Sequence, residues 1–131
     1  REIVQPAEPN EVGAEQAETE YVTISSAGPR VTWMALRPHT GRTHQLRAHM
    51  QAIGHSILGD PKYGNEASAQ LSEGLGLQLH HRRIELPHPT SGTLIVEAPL
   101  DKVIKAGFDR FGFDEHEAEV DPFANQKKKK R

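Results

Sequence analysis

The chain contains no cysteine, which excludes a disulfide framework and any thiolate metal site. It has no apolar run approaching membrane-spanning length, and no signal-peptide pattern opens it. Hydrophobic residues make up only 35% and the mean hydropathy is −0.66, low for a compact domain. Polar ends explain part of that deficit. A folding part of roughly 80–95 residues is therefore expected within the 131, small for independent stability. The absences are compatible with a cytoplasmic location.

A further absence is local. No acidic residue occurs between Arg30 and Ile57, although the chain as a whole is slightly acidic, with a net charge of −2 and a pI near 6.5. Residues 1–20 hold one Arg against six Glu, and residues 114–121 are acidic again. Residues 30–51 hold four Arg and no Asp or Glu. The middle of the chain is thus the segment whose local potential suits a phosphate backbone.

That basic middle carries the densest chemistry. Residues 38–64 read P-H-T-G-R-T-H-Q-L-R-A-H-M-Q-A-I-G-H-S-I-L-G-D-P-K-Y-G. Leu46, Met50 and Ile53 recur at helical spacing and predict one apolar stripe. Thr43 is placed as a candidate N-cap and Gly54 as a left-handed C-cap. His44, Arg47 and Gln51 fall along another helical face, so a short helix packed on one side and rich in donors on the other is expected. Strands are predicted over 20–26 and 31–36, joined by a turn at 27–30. The second is expected to be central, because both of its faces are partly apolar. A short strand at 55–58, a turn at 59–64, a polar helix or insert at 65–73 and a hairpin closing at 87–92 follow. A last helical element is expected from Asp101 to about Phe111. The fold class is α+β, with a mixed, mainly antiparallel sheet and a few helices on one face. Residues 1–18 read as a flexible acidic lead-in, 19–112 as the folded unit, and 113–131 as a disordered tail, acidic and then basic.

The strings T-G-R-T-H-Q-L-R-A-H at 40–49 and G-H-S-I-L-G-D-P-K-Y-G at 54–64 resemble a conserved motif of the RluA-type pseudouridine synthases. The resemblance continues through L-H-H-R-R-I at 79–84, P-H-P at 87–89 and V-E-A-P-L at 96–100. It implies the second half of a pseudouridine synthase catalytic domain, acting on RNA without a metal or organic cofactor. The family's nucleophilic Asp belongs to an H-R-L-D-type motif, and nothing like it occurs here. The chain also begins with Arg1. A C-terminal fragment is therefore expected, inactive alone, whose partners are RNA and the missing N-terminal half of the same domain. Ribosomal RNA ranks ahead of tRNA as substrate.

By the resemblance, Arg47 is the catalytic candidate, pairing with the nucleophilic Asp outside this chain. No acid close by in sequence would neutralise it, and an adjacent cation keeps an enclosed carboxylate ionised. Arg37, Arg42, His44 and Lys62 are candidate RNA contacts. Gln45 is a candidate for bonding backbone in the missing half. Asp60, between Gly59 and Pro61, is expected to stabilise a turn rather than act as nucleophile. Tyr63 could touch RNA or pack on the helix. The eight His lack metal-ligand spacing: His44 and His49 are five apart, not four, and no metal site is expected. The run Lys127–Arg131 could reach phosphates. The alternative reading is a catalytically inert RNA-binding module using the same helix and loops.

Overall fold

The computed structural model describes residues 17–118 and 122–123, together with the backbone of residues 2–4. The rest of the expected lead-in and tail lies outside the described residues. Three antiparallel strands form the main sheet: β1 (Glu2–Val4), β2 (Thr19–Ala27) and β3 (Val31–Pro38), in that order. The lead-in therefore contains a strand, with Ile3 paired opposite Glu20. β2, not β3, is the middle strand.

β2 and β3 form the expected hairpin, but its register breaks. Ser25 faces Trp33 whereas Thr23 faces Met34, so one extra residue of β2 bulges out between them. The bulge sets Tyr21 opposite Leu36 and Glu20 opposite Arg37.

The donor-rich helix α1 spans Gln45–Ala52. Its start differs from expectation. The cap is His44 in the left-handed region (φ 51°), with no side-chain cap, rather than Thr43. Its end matches the reading of Gly54. Gly54 (φ +83°) donates to the Gln51 carbonyl and His55 to that of Met50, the paired bonds that close a helix through a left-handed glycine. Met50 and Ile57 are buried, and Tyr21, Met34, Leu36, Ile53, Leu77 and Leu79 pack against them. Met50 and Ile53 of the expected stripe thus pack against the sheet, whereas Leu46 does not join them, and the buried residues of α1 are Gln45, His49 and Met50.

Beyond α1, residues 55–58 form no strand. This segment is held instead by single contacts, including Gln78 N–H to the Leu58 carbonyl at 2.8 Å. Gly59 (φ +79°) lies so close to the next pass of the chain that a Cβ there would stand 2.1 Å from the Gly76 carbonyl oxygen. Helix α2 (Glu66–Leu71) starts at Asn65, whose side chain accepts from Ser68 N–H while Ser68 Oγ accepts from Asn65 N–H. Strands β4 (Arg83–Pro87) and β5 (Thr93–Glu97) pair as the second expected hairpin. Ile84, Leu86, Leu94 and Val96 share one of its faces and are exposed.

Helix α3 (Lys102–Phe111) begins at Asp101, which accepts from Ile104 N–H. Its Phe108, with Phe113, packs on Trp33 at ring separations of 4.6 and 5.8 Å. Trp33 and Met34 are neighbours on β3 and point to opposite faces. Both faces of β3 are covered, although it is not the middle strand. The segment expected to be a tail is partly structured. Glu115–Glu117 form a 3₁₀ turn, and Phe123 is buried.

Candidate functional site

The site is built where α1, the loop at 38–42 and the turn at 59–64 meet. Gln45 joins the first two. Its Oε1 accepts from Thr40 Oγ1 at 2.5 Å and from Arg42 N–H at 3.2 Å. Its Nε2 donates to the Glu18 carbonyl at 2.9 Å and to Thr19 Oγ1 at 3.0 Å. Two donors and two acceptor sites are all a primary amide offers, so this buried side chain is fully satisfied. The Glu18 backbone is gripped from a second side, since His39 N–H donates to its carbonyl and its own N–H donates to Thr40 Oγ1. Gln45 thus bonds backbone of this chain, and its role is to hold the loop against β2. His49, one turn on, is buried with Nδ1 2.7 Å from Thr19 Oγ1. Burial pushes its ring pKa down, so the ring is favoured in its neutral form.

On the outer side of α1, Arg47 is held by a carboxylate of this chain. Its Nε donates to Asp60 Oδ2 at 2.9 Å and its Nη2 to Oδ1 at 2.8 Å. This two-pronged pairing corrects the expectation that no acid lies near enough to neutralise Arg47. Asp60 is thirteen residues away, and the 59–64 turn folds it back onto the helix. Asp60 does stabilise its turn, since Oδ1 accepts from the N–H groups of Lys62 and Tyr63 at 2.9 and 3.0 Å. Hydrogen bonding from Arg47, against the opposing effect of burial and with help from those two N–H groups, holds the Asp60 carboxyl well below the usual carboxylate range. The same hydrogen bonds raise the pKa of the Arg47 guanidinium. Nη1 of Arg47 is the nitrogen not engaged by Asp60.

Tyr63 lies beneath this pair. The Arg47 guanidinium carbon is 5.3 Å from its ring centre, and Lys62 Nζ is also 5.3 Å from it. His44 meets the ring edge-on at 5.7 Å, with Nδ1 3.3 Å from the phenol oxygen. Tyr63 packs against the helix, as one of its two readings has it. His44, Arg47 and Lys62 therefore gather around one aromatic ring.

Arg37 is placed differently. Its Nη2 and Nε donate to Glu20 Oε1 at 2.9 and 3.3 Å, and its guanidinium carbon stands 4.5 Å over the Phe123 ring. Glu20 is 1% exposed, and His39 contacts the same oxygen. Two of the four arginines that make the middle of the sequence basic are thus neutralised in space. The structure assembles Arg42, His44 and Arg47 around one cavity of about 310 Å³, lined also by Pro38, Thr40, Gly41, Gln45, Leu46 and Leu79. Arg37 is not among its lining residues. Among the described residues no group of three or more His, Asp or Glu could hold a metal ion, and no helix is long and apolar enough to cross a membrane.

The sequence description of RNA pseudouridylate synthases matches residues 4–52. The chain is 49% identical over 78 residues to the dual-specificity RNA pseudouridine synthase RluA of Yersinia pestis, across 59% of this chain and 36% of that protein. It is 40% identical over 86 residues to the protein of the same name from Salmonella typhi, across 65% and 38%. It is 39% identical over 103 residues to the tRNA pseudouridine synthase C of Haemophilus ducreyi, across 75% and 42%. The solved structure of human RNA pseudouridylate synthase domain containing 1 superposes with a TM-score of 0.56 at 33% identity, covering 65% of this chain and 35% of that one. The chain spans about two-fifths of the length of the curated relatives it matches.

Proposed function

We propose that this chain, which belongs to the RluA-type pseudouridine synthase family, forms one wall of a catalytic cleft that isomerises uridine to pseudouridine in RNA. The observation that carries the proposal is the fixed Arg47 guanidinium, held by Asp60 through two nitrogens at the edge of an open recess whose lining is mainly apolar. The target uridine is turned out of its RNA context to expose the glycosidic bond. A carboxylate from outside this chain attacks C1′ as the bond to uracil N1 breaks; the uracil turns, its C5 bonds C1′ and releases the carboxylate, and C5 then loses its proton while N1 gains one. We assign Arg47 Nη1 as the donor to that carboxylate. A cation there favours the ionised nucleophile against the desolvation that would neutralise it. Asp60 orients the guanidinium and is not itself the nucleophile, because both of its oxygens are already committed to Arg47 and its turn.

Arg42, His44 and Lys62 are the RNA contacts we propose on this wall. Arg37 leaves that set, because Glu20 and Phe123 occupy its guanidinium. The exposed apolar face of the β4–β5 hairpin supports a further part of the same domain packing there. Ribosomal RNA and tRNA are both substrates to assay, since the relatives carry the names of a dual-specificity RNA enzyme and a tRNA enzyme.

The test compares the 131-residue chain with the protein carrying its upstream motif, assaying pseudouridine in ribosomal RNA transcripts. Background from the chain alone and turnover by the longer protein are expected. Turnover by the chain alone that vanishes in Asp60→Ala would make Asp60 the nucleophile. RNA binding by the longer protein without any turnover on ribosomal RNA or tRNA would favour an inert RNA-binding module.

A further inference from the structure

Tyr63 stands behind the cavity rather than among its lining residues, and it is held from several sides. Its N–H donates to Asp60 Oδ1 at 3.0 Å, and its carbonyl accepts from Ser56 Oγ at 2.8 Å. Its ring packs on the Arg47 guanidinium, which Asp60 fixes in turn through two nitrogens. The ring therefore has a defined place before any ligand arrives.

His44 is the group through which this ring reaches the cavity. It is exposed, lines the cavity, and is the one non-glycine residue with a positive φ (51°) among the described residues. A side chain in the left-handed region is strained, and it persists where surrounding contacts hold it. The helix does not supply that hold, because His44 caps α1 without a side-chain cap bond. Tyr63 does: the two rings meet edge-on at 87° with centres 5.7 Å apart, and His44 Nδ1 lies 3.3 Å from the phenol oxygen. The hydrogen bond made by one imidazole nitrogen decides what the other can do. A phenol that donates to Nδ1 leaves the ring proton on Nε2, which is then a donor.

We propose that Tyr63 is a positioning residue, whose hydroxyl donates to His44 Nδ1 and holds the strained imidazole so that Nε2–H donates to an RNA phosphate oxygen. Because the same ring packs on Arg47, the RNA contact and the guanidinium keep a fixed spacing. The inference rests on the RNA contact proposed above for His44 and asks nothing of the isomerisation. An imidazole with one proton carries no net charge, so its contact releases no counterion. Losing it should weaken binding about two- to tenfold, the worth of one hydrogen bond, and leave the salt dependence unchanged. Displacing a cation such as Arg42 or Lys62 should instead flatten the log–log slope by about 0.7 on single-stranded RNA.

The experiment measures binding of the 131-residue chain to a short single-stranded oligouridylate across a salt series, without any assay of turnover. The variants are Tyr63→Phe, His44→Ala and the two combined. Tyr63→Phe keeps the ring under Arg47 and removes only the hydroxyl. About two- to tenfold weaker binding with an unchanged slope in each single variant, and no further loss in the combination, support the proposal. Wild-type affinity in either single variant overturns it, as does absence of binding by the wild-type chain. A flatter slope in Tyr63→Phe overturns it, because the loop cations would then have moved. A full second loss in the combination also overturns it, because Tyr63 would then act through the fold. Imidazole nitrogen chemical shifts of the RNA-free chain add a reading that needs no substitution. His44 Nδ1 should be the unprotonated nitrogen, and a proton found there overturns the assignment. A longer protein that binds RNA without turnover would end the synthase reading and leave all of these results in place.

Discussion

Arg47 and Asp60 are joined by two parallel hydrogen bonds, Nε to Oδ2 at 2.9 Å and Nη2 to Oδ1 at 2.8 Å, across thirteen residues of sequence. The pair is a fork held by a fork, so the guanidinium has a defined plane as well as a defined position. In the protein that carries the nucleophile, Arg47→Ala should lower the single-turnover rate by roughly 10²–10³-fold while RNA affinity changes far less. Arg47→Lys should recover only part of the loss, because an ammonium cannot pair in a plane. Asp60→Asn should fall between wild type and Arg47→Ala, since it keeps the cation and loses its orientation. Single-turnover rates set beside RNA dissociation constants check this. A near-normal rate with much weaker binding in Arg47→Ala would move Arg47 to the RNA-contact surface.

Two of the three shifted acid–base groups, His49 and Asp60, predict acid sensitivity in two stages. His49 is held below its ordinary pKa by burial, so the unfolded chain takes up the proton first. Stability should begin to fall as pH drops below about 6.5, the pKa of a free His. Asp60 is depressed chiefly by its hydrogen bonds from Arg47. Its contribution is fully present above about pH 4 and is lost as pH falls further, when the pair must be protonated apart. Melting temperatures of the chain from neutral pH to pH 3 should show both stages. His49→Gln should remove the upper one and Asp60→Asn the lower one.

Gln45 satisfies four polar groups with one buried amide. Gln45→Leu keeps similar bulk and leaves the Glu18 carbonyl, the Thr19 and Thr40 hydroxyls and the Arg42 N–H short of a partner. A stability loss of about 1–3 kcal/mol is expected, the cost of leaving such groups unsatisfied. Because the 38–42 loop would loosen, RNA affinity should weaken as well. Urea unfolding and RNA titration of the same variant check both effects, and unchanged values in both would deny Gln45 its organising role.

Gly54 and Gly59 have similar left-handed φ values, +83° and +79°, but different surroundings. Nothing lies within 4 Å of a Cβ at Gly54, whereas one at Gly59 meets backbone at 2.1 Å. Gly54→Ala should cost about 1–2 kcal/mol, the price of the left-handed conformation alone. Gly59→Ala should cost at least about 3 kcal/mol, because the 76–77 backbone must also move. It should also displace Asp60, and so reduce the activity of the longer protein where Gly54→Ala does not. Equal unfolding free energies for the two variants would contradict this packing.

Much of the local structure was legible because it depends on neighbours in the chain. The Met50 and Ile53 part of the apolar stripe, the glycine cap at Gly54 and the two hairpins follow from periodicity and backbone preference, which act within a few residues. The motif strings also carried the family resemblance. What the sequence could not decide was which charges meet. The run from Arg30 to Gln51 is basic on paper, yet Arg37 and Arg47 are neutralised by Glu20 and Asp60, which sit outside it. Charge pairing acts across space, and here it hangs on a single bulge and a single turn. Without the extra residue between Thr23 and Ser25, continuing the register from the hairpin turn would set Glu20 opposite Pro38 rather than Arg37. The turn that brings Asp60 back onto α1 passes Gly76 at Gly59, where no side chain would fit. The return of Phe123 to Arg37 is equally a tertiary fact, since a lone aromatic in a polar tail has no periodicity to announce it.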